Sequence, residues 1–297
     1  FYGSHPIRTK LTDVFLSAGR TPDSGFIPYF CPRMKKNKLV IVGCGRLAGI
    51  VANAAAGGLL PEYELTGVYS RTATKAEHIA DIMRRCGTPC AACRTLDELL
   101  ALKPDYLVES ASPAAMKEIA LPALKNGTSV VTLSIGAFAD TDFYMEVQET
   151  ARKYGTRVYI ASGATGGFDV LRTTALMGNA SAEFFNEKGV AALRRSPVYD
   201  PALETESRTV FSGTAREAIA TFPTGLNVSV AASLASVGPE KMRVRMQSTP
   251  GFIGDTQRVE IRNDQVHAVV DVYSATPEIA GWSVVSTLRN IVSPIVF

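Results

Sequence analysis

The residues with the clearest chemical meaning are three small ones, Gly43-x-Gly45-x-x-Ala48, directly behind the apolar run Lys38-Leu-Val-Ile-Val42. A compact Val/Ile run reads as a buried parallel strand, and the Ala- and Gly-rich stretch to about Gly58 reads as a helix. In that setting Gly43 permits the tight turn, Gly45 lets backbone approach a pyrophosphate, and Ala48 allows close helix–strand contact. Arg46 and Leu47 open the helix, whose N-terminus offers unpaired N–H groups to phosphates. The chemistry implied is dinucleotide binding.

The residue that closes the second strand selects the dinucleotide. An Asp or Glu there bonds the ribose 2′-OH of NAD. Here the place is taken by Ser70-Arg71-Thr72, which offers donors and a positive charge suited to a 2′-phosphate, with Lys75 nearby. NADP is therefore expected, with NAD possible because Arg71 can also stack on adenine. Ala111-Ser112-Pro113 and Ser134-Ile-Gly-Ala137 end two later strands with small residues that let backbone approach the same ligand.

The elements that must carry these groups follow from periodicity. Strands are expected at Tyr63–Tyr69, Cys90–Arg94, Asp105–Glu109, Ser129–Leu133 and Arg157–Ala161, alternating with helices at Thr74–Arg85, Pro113–Asn126 and Asp140–Tyr154. Gly127 and Gly155 stop the last two. That alternation predicts an α/β chain with an N-terminal doubly wound parallel sheet of Rossmann type. After Ala161 the pattern changes. Val190–Arg195, Ser207–Ser212, Met242–Ser248, Thr256–Arg262 and Gln265–Tyr273 alternate apolar and polar residues as half-buried antiparallel strands do. Helices are expected at Ala215–Ala220, Leu226–Ser236 and Ile279–Val292. An α+β sheet domain with helices on one face is expected. The expected divisions are 1–33, 34–161 for the dinucleotide domain, 162–275 for substrate binding and oligomer contacts, and 276–297 for a C-terminal helix. Residues 1–33, rich in Pro and without periodicity, are expected to be an extension or expression remnant ahead of a start at Met34.

Composition excludes little but excludes it usefully. The 297 residues are 46% hydrophobic and 20% charged, with a net charge of +3, too small to argue for nucleic acid or a membrane surface. No apolar stretch approaches the roughly 20 residues of a membrane span. Five cysteines, an odd number at low density, suit a reducing cytoplasm. Cys86, Cys90 and Cys93 lie close together, yet no second pair supplies zinc-site spacing and His78 sits on a helix ahead of them. No metal is expected.

The segments Ile160-Ala-Ser-Gly-Ala-Thr-Gly-Gly-Phe-Asp169, Gly213-Thr-Ala-Arg-Glu-Ala-Ile-Ala-Thr-Phe-Pro223 and Gly225-Leu-Asn-Val-Ser-Val-Ala-Ala-Ser-Leu-Ala235 resemble the L-aspartate dehydrogenase family. The resemblance extends through Glu109-Ser-Ala-Ser112 and Val130–Ala139, and covers nearly everything from Lys38 onward. It implies NAD(P)-dependent interconversion of a small amino acid and its 2-imino or 2-oxo acid, and a sheet domain that builds a homodimer or homotetramer. It also implies that Ser162, Gly163, Ala164 and Thr165 lie under the nicotinamide or substrate, with Asn227 on the nicotinamide side. One departure stands out. Where the family carries a catalytic histidine in a motif resembling Thr-Arg-Asn-x-His-Glu, this chain reads Gly254-Asp-Thr-Gln257. Glutamine hydrogen-bonds but carries no proton near neutral pH. His267, on the next strand, is the alternative proton carrier, with a surface histidine as the plainer reading. Arg172 and Arg243 are candidate carboxylate partners. Two other functions compete: a catalytically silent nucleotide-binding protein with a regulatory or partner-binding sheet, and a sugar or semialdehyde dehydrogenase. The latter is weakened because Thr132–Ala139 holds no Lys.

Overall fold

A computed structural model describes residues 35–222 and 226–297; the stretch 1–33 discussed above lies outside them. Six strands, β1 (Asn37–Val42), β2 (Tyr63–Tyr69), β3 (Ala91–Cys93), β4 (Tyr106–Glu109), β5 (Ser129–Thr132) and β6 (Val158–Ile160), form a sheet ordered β3-β2-β1-β4-β5-β6. Every pairing in it is parallel. Because strand side chains alternate, Leu39 and Ile41 of β1 enter one apolar layer while Val40 and Val42 enter the other. Helices α1 (Arg46–Ala56) and α2 (Ala73–Arg85) cover the first layer. The short α3 (Leu96–Ala101), with α4 (Pro113–Lys125) and α5 (Thr141–Tyr154), covers the second. Their ends are written locally. Ser112 and Asp140 accept from backbone N–H at the starts of α4 and α5, and Gly155, at φ +65°, ends α5.

The chain then builds α6 (Phe168–Leu176) and a five-stranded sheet of β7 (Ser181–Gly189), β8 (Arg208–Thr214), β9 (Arg243–Thr249), β10 (Asp255–Arg262) and β11 (His267–Ser274). Its order is β11-β10-β7-β9-β8. One face is covered by α6, α7 (Ala215–Thr221) and α8 (Asn227–Leu234), around Phe184, Val244, Met246, Val259 and Ile261. The α/β architecture is the one the sequence implies, with three corrections. The strand expected at Val190–Arg195 is a 3-10 turn, Val190–Ala192, and the real strand lies just upstream. Gly189 packs so tightly under the Phe252 carbonyl that no side chain fits there, and the chain turns out of the sheet. The sheet is not wholly antiparallel, because β7 and β9 run parallel. Helix α6 is an addition to the expected elements.

Two helices bind the halves together. In α8, Val230 and Ala231 join the core of the first sheet while Val228 and Ala232, with Ala235 just beyond the helix end, join that of the second. Its buried Ser229 and Ser233 hydroxyls donate to their own helix's carbonyls, so the wedge carries no polar cost. The last helix, α9 (Glu278–Val292), returns to the first sheet, where Val284, Val285 and Leu288 pack with the α1 layer and the Tyr63 hydroxyl donates to the Leu288 carbonyl (2.7 Å). No helix among the described residues is long and apolar enough to cross a membrane.

Candidate active site

The order of the first sheet reverses between β1 and β4, and ligands of such sheets bind at that reversal. Gly43 sits there at φ +90°, and a Cβ on it would lie 2.7 Å from Ala111 N. Its N–H donates to the Tyr69 carbonyl (2.9 Å) and its carbonyl accepts from the Ser110 hydroxyl (2.9 Å), so the ends of β1, β2 and β4 converge on one residue. Gly45 is the opposite case. It caps α1 without a side-chain acceptor for the first N–H groups, and nothing lies within 4 Å of where its Cβ would be. This open cradle at a positive helix end fits a pyrophosphate. The side chain of Arg46 pairs with Glu278 at the surface (2.6 Å), and Leu47 packs against the core under α9.

Ser70, Arg71 and Thr72 follow β2 directly and lead into α2, placing them beside the glycine turn through the Gly43–Tyr69 bond. The half-buried Ser70 hydroxyl accepts from Thr72 N, and Arg71 and Thr72 are exposed. No carboxylate stands at this strand end, and the donors fit a 2′-phosphate. Ala111 and Ser112 take part in a network that sequence reasoning missed. Glu109, fully buried at the end of β4, accepts from Ala111 N (2.8 Å), Ser112 N (3.2 Å), the Thr132 hydroxyl (2.6 Å), and both the N–H (3.3 Å) and hydroxyl (2.9 Å) of Ser134. Burial pushes its carboxyl above the ordinary range while the donors pull it back. It fixes the turns after β4 and β5 in one conformation. Cys44 and Cys90 lie in the core of this half, and burial pushes each thiol up to about 12.

The second half of the site begins after β6. Gly163, at φ +65°, donates to the Ser283 hydroxyl of α9 (3.0 Å) and lies beside Val228 of α8. Ser162 and Ala164 are half-buried around it, and Thr165 is buried with its hydroxyl unpaired. At Gly167 a Cβ would lie 2.6 Å from Val270, so this loop runs onto the covered face of the second sheet at β11. Asn227, the first residue of α8, accepts through Oδ1 from Gly136 N (2.8 Å), joining α8 to the turn after β5.

Gln257 also lies on that covered face. It alternates with Val259 and Ile261 on β10, is only 3% exposed, and has no partner for Oε1. Directly opposite on β7 is Asn186, fully buried. The Asn186 amide N–H groups donate to Asp255 Oδ1 and to the Thr256 carbonyl (2.8 Å), while Asp255 Oδ2 pairs with Lys188 (3.1 Å). Ser248 of β9, fully buried, has an unpaired hydroxyl in the same end of the sheet. Asn186, Ser248 and Asp255 surround Gln257 in this polar strip and were not expected from the sequence. The available signal was polar residues on inward positions of alternating strands.

Three expected candidates are placed elsewhere. His267 lies on the opposite, open face of the sheet, 61% exposed and hydrogen-bonded to Glu260 (2.9 Å), at the far end of β11 from the residue paired with Gln257. The period-two alternation that buries Gln257 turns His267 outward. Arg243 is exposed on that open face too. Arg172 is exposed on α6, lining a groove of about 1400 Å³ that runs between α6, β6 and α9.

Comparison with known proteins agrees with this geometry. Residues 169–291 match the family described as aspartate dehydrogenase, C-terminal, and residues 43–161 match homoserine dehydrogenase, NAD binding domain. L-aspartate dehydrogenase of Methanococcus maripaludis is 35% identical over 211 residues, covering 70% of this chain and 77% of its own. The chain belongs to the L-aspartate dehydrogenase family. It is an NAD(P)-binding oxidoreductase of the type that acts on CH–NH2 groups. L-aspartate dehydrogenase of Methanosarcina acetivorans is 31% identical over 270 residues, covering 87% of this chain and 98% of its own. The crystal structure of aspartate dehydrogenase from Thermotoga maritima superposes with a TM-score of 0.66 at 24% identity, over 88% of this chain and 99% of that one, and shares the fold.

Proposed function

We propose that the chain transfers hydride between NADP(H) and a small amino or imino acid, with L-aspartate the first candidate substrate. The observation that carries this reading is the junction at Asn227. Its bond to Gly136 ties the ligand-facing edge of the first sheet to the helix that packs on the second, which supports reading the cofactor cradle and the polar strip as parts of one cleft. NADP, when bound, supplies the hydride acceptor. The glycine turn and the first N–H groups of α1 hold its pyrophosphate, and Ser70, Arg71 and Thr72 hold the 2′-phosphate. Ala111, Ser112, Ala164 and Asn227 border its remaining length. Ser162, Gly163 and Thr165 shape the floor under the substrate, and Gln257 stands where the family places its histidine.

Gln257 orients by hydrogen bonding and leaves proton transfer to solvent. Losing a general acid–base group slows a reaction by roughly 10²–10⁴-fold. That same replacement favours a second reading, a nucleotide-binding protein with little catalysis. The two are separated by offering NADP(H) and NAD(H) with a panel of amino acids, and of 2-oxo acids with ammonia, and following nicotinamide absorbance. Turnover of any member supports the oxidoreductase reading. Tight NADPH binding with no turnover across the panel supports the second. Val269 and Tyr273, exposed on the open face of the second sheet, support a homodimer or homotetramer built through that face.

A further inference from the structure

Buried polar atoms in folded proteins are nearly always paired, and those left over mark a missing partner. At the 255 end of the covered face, Asn186 Oδ1, Gln257 Oε1 and the Ser248 hydroxyl are all without one among the described residues. Asn186 and Gln257 are direct cross-strand partners, so their Cβ atoms stand about 4.5–5.5 Å apart on one face. The orientation of Asn186 is fixed, because Asp255 and the Thr256 carbonyl take its amide N–H groups. Asp255 is itself held by Lys188. The carbonyl oxygen is what remains. The strip therefore presents two amide oxygens, whose complement is an N–H or O–H donor, beside a hydroxyl that can donate or accept.

We propose that Asn186 Oδ1 and Gln257 Oε1 form the subsite that accepts the N–H groups of the substrate's amino or imino nitrogen, making the amine the feature by which this site selects its ligand. This rests on reading the chain as an oxidoreductase of amino or imino acids. A pair of neutral acceptors suits both a protonated amine and an iminium, since each carries at least two N–H donors and a positive charge. It also replaces an imidazole without taking up a proton.

The test is calorimetric binding to the NADP-saturated protein of acid pairs that differ by the nitrogen: L-aspartate and succinate, L-glutamate and glutarate, L-alanine and propionate. At least one amine-bearing member should bind about ten- to a hundredfold more tightly than its counterpart, the span of one or two hydrogen bonds to a charged group. Gln257→Met and Asn186→Leu should each remove most of that preference with NADPH affinity unchanged. Gln257→Glu, which keeps an acceptor, should preserve or widen it. Should Asn186→Leu fail to fold, the two Gln257 variants decide. Absence of a preference in every pair overturns the proposal, as does a preference that survives Gln257→Met. A loss confined to NADPH affinity also overturns it, assigning the oxygens to the nicotinamide carboxamide. An amine preference seen with glutamate but not aspartate would remove aspartate from the proposed function and leave this inference standing.

Discussion

The two sheets treat their buried polar groups in opposite ways. On the first sheet, Glu109 is buried yet accepts five hydrogen bonds, and the residues of the proposed cofactor edge are Gly43, Gly45 and Ala111, which offer backbone. On the second sheet, Asn186, Ser248 and Gln257 are as deeply buried but keep unpaired atoms. Under the proposed function, the contrast follows from what each ligand needs. A pyrophosphate is held by main-chain N–H groups whose geometry must be rigid, so the surrounding side chains are spent on fixing the turns. A small acid is recognised by side chains, and those are left with bonding capacity to offer.

The largest effect that would break this contrast is expected at Gly43. A Cβ there meets the Ala111 backbone at a φ that side chains disfavour, so Gly43→Ala should cost about 2–5 kcal/mol and displace the turn. Thermal unfolding and NADPH titration report both. Full NADPH affinity in the variant would show that the three strand ends are not coupled as described.

Glu109→Leu should follow, at about 2–4 kcal/mol by chemical denaturation, since buried N–H donors lose their acceptor. Its titration carries a sign. With the folded carboxyl above its ordinary value, the native state holds a proton that the unfolded chain releases. The contribution of this group to stability is then full at low pH and falls as pH rises through the folded value. Glu109→Gln, which cannot ionise, should remove that slope. A slope of the opposite sign would mean that the donors outweigh burial.

Arg71→Ala tests the cofactor edge at about ten- to a hundredfold in NADPH affinity, the range of a charge-assisted phosphate contact, with NADH little changed. Equal affinities for NADPH and NADH in the parent protein would contradict the 2′-phosphate assignment and leave the pyrophosphate cradle intact. The smallest effect is expected from His267→Ala. Its exposed pair with Glu260 should contribute under about 1 kcal/mol, and turnover should not change.

The same contrast explains what was legible in the sequence. The first sheet is written in contiguous signals, such as Leu39–Val42 before Gly43 or Asp140 before α5, because its central strands are buried on both faces and its caps are local. The covered end of the second sheet depends on pairing between strands far apart in sequence. Ser181-Ala-Glu-Phe-Phe-Asn-Glu-Lys-Gly189 places Asn186 and Lys188 on inward positions, so it lacks the clean alternation that marked β9 and β10. Val190–Arg195, just beyond, mimics that alternation without being a strand. The family motif points to Gln257, but its neighbour Asn186 is 71 positions earlier and becomes its partner only in the sheet. His267 was plausible by adjacency, and the alternation of β11 turns it away.

The central claim is that Gln257 occupies the proton-transfer position of one cleft shared by both sheets. The most direct measurement is the pH dependence of NADP-linked L-aspartate oxidation by the parent protein and by Gln257→His. The parent should be slow, with no inflection near the roughly 6.5 of an imidazole, and the variant should gain rate together with such an inflection. Fast turnover by the parent, with an imidazole-like inflection that His267→Ala abolishes, would contradict it.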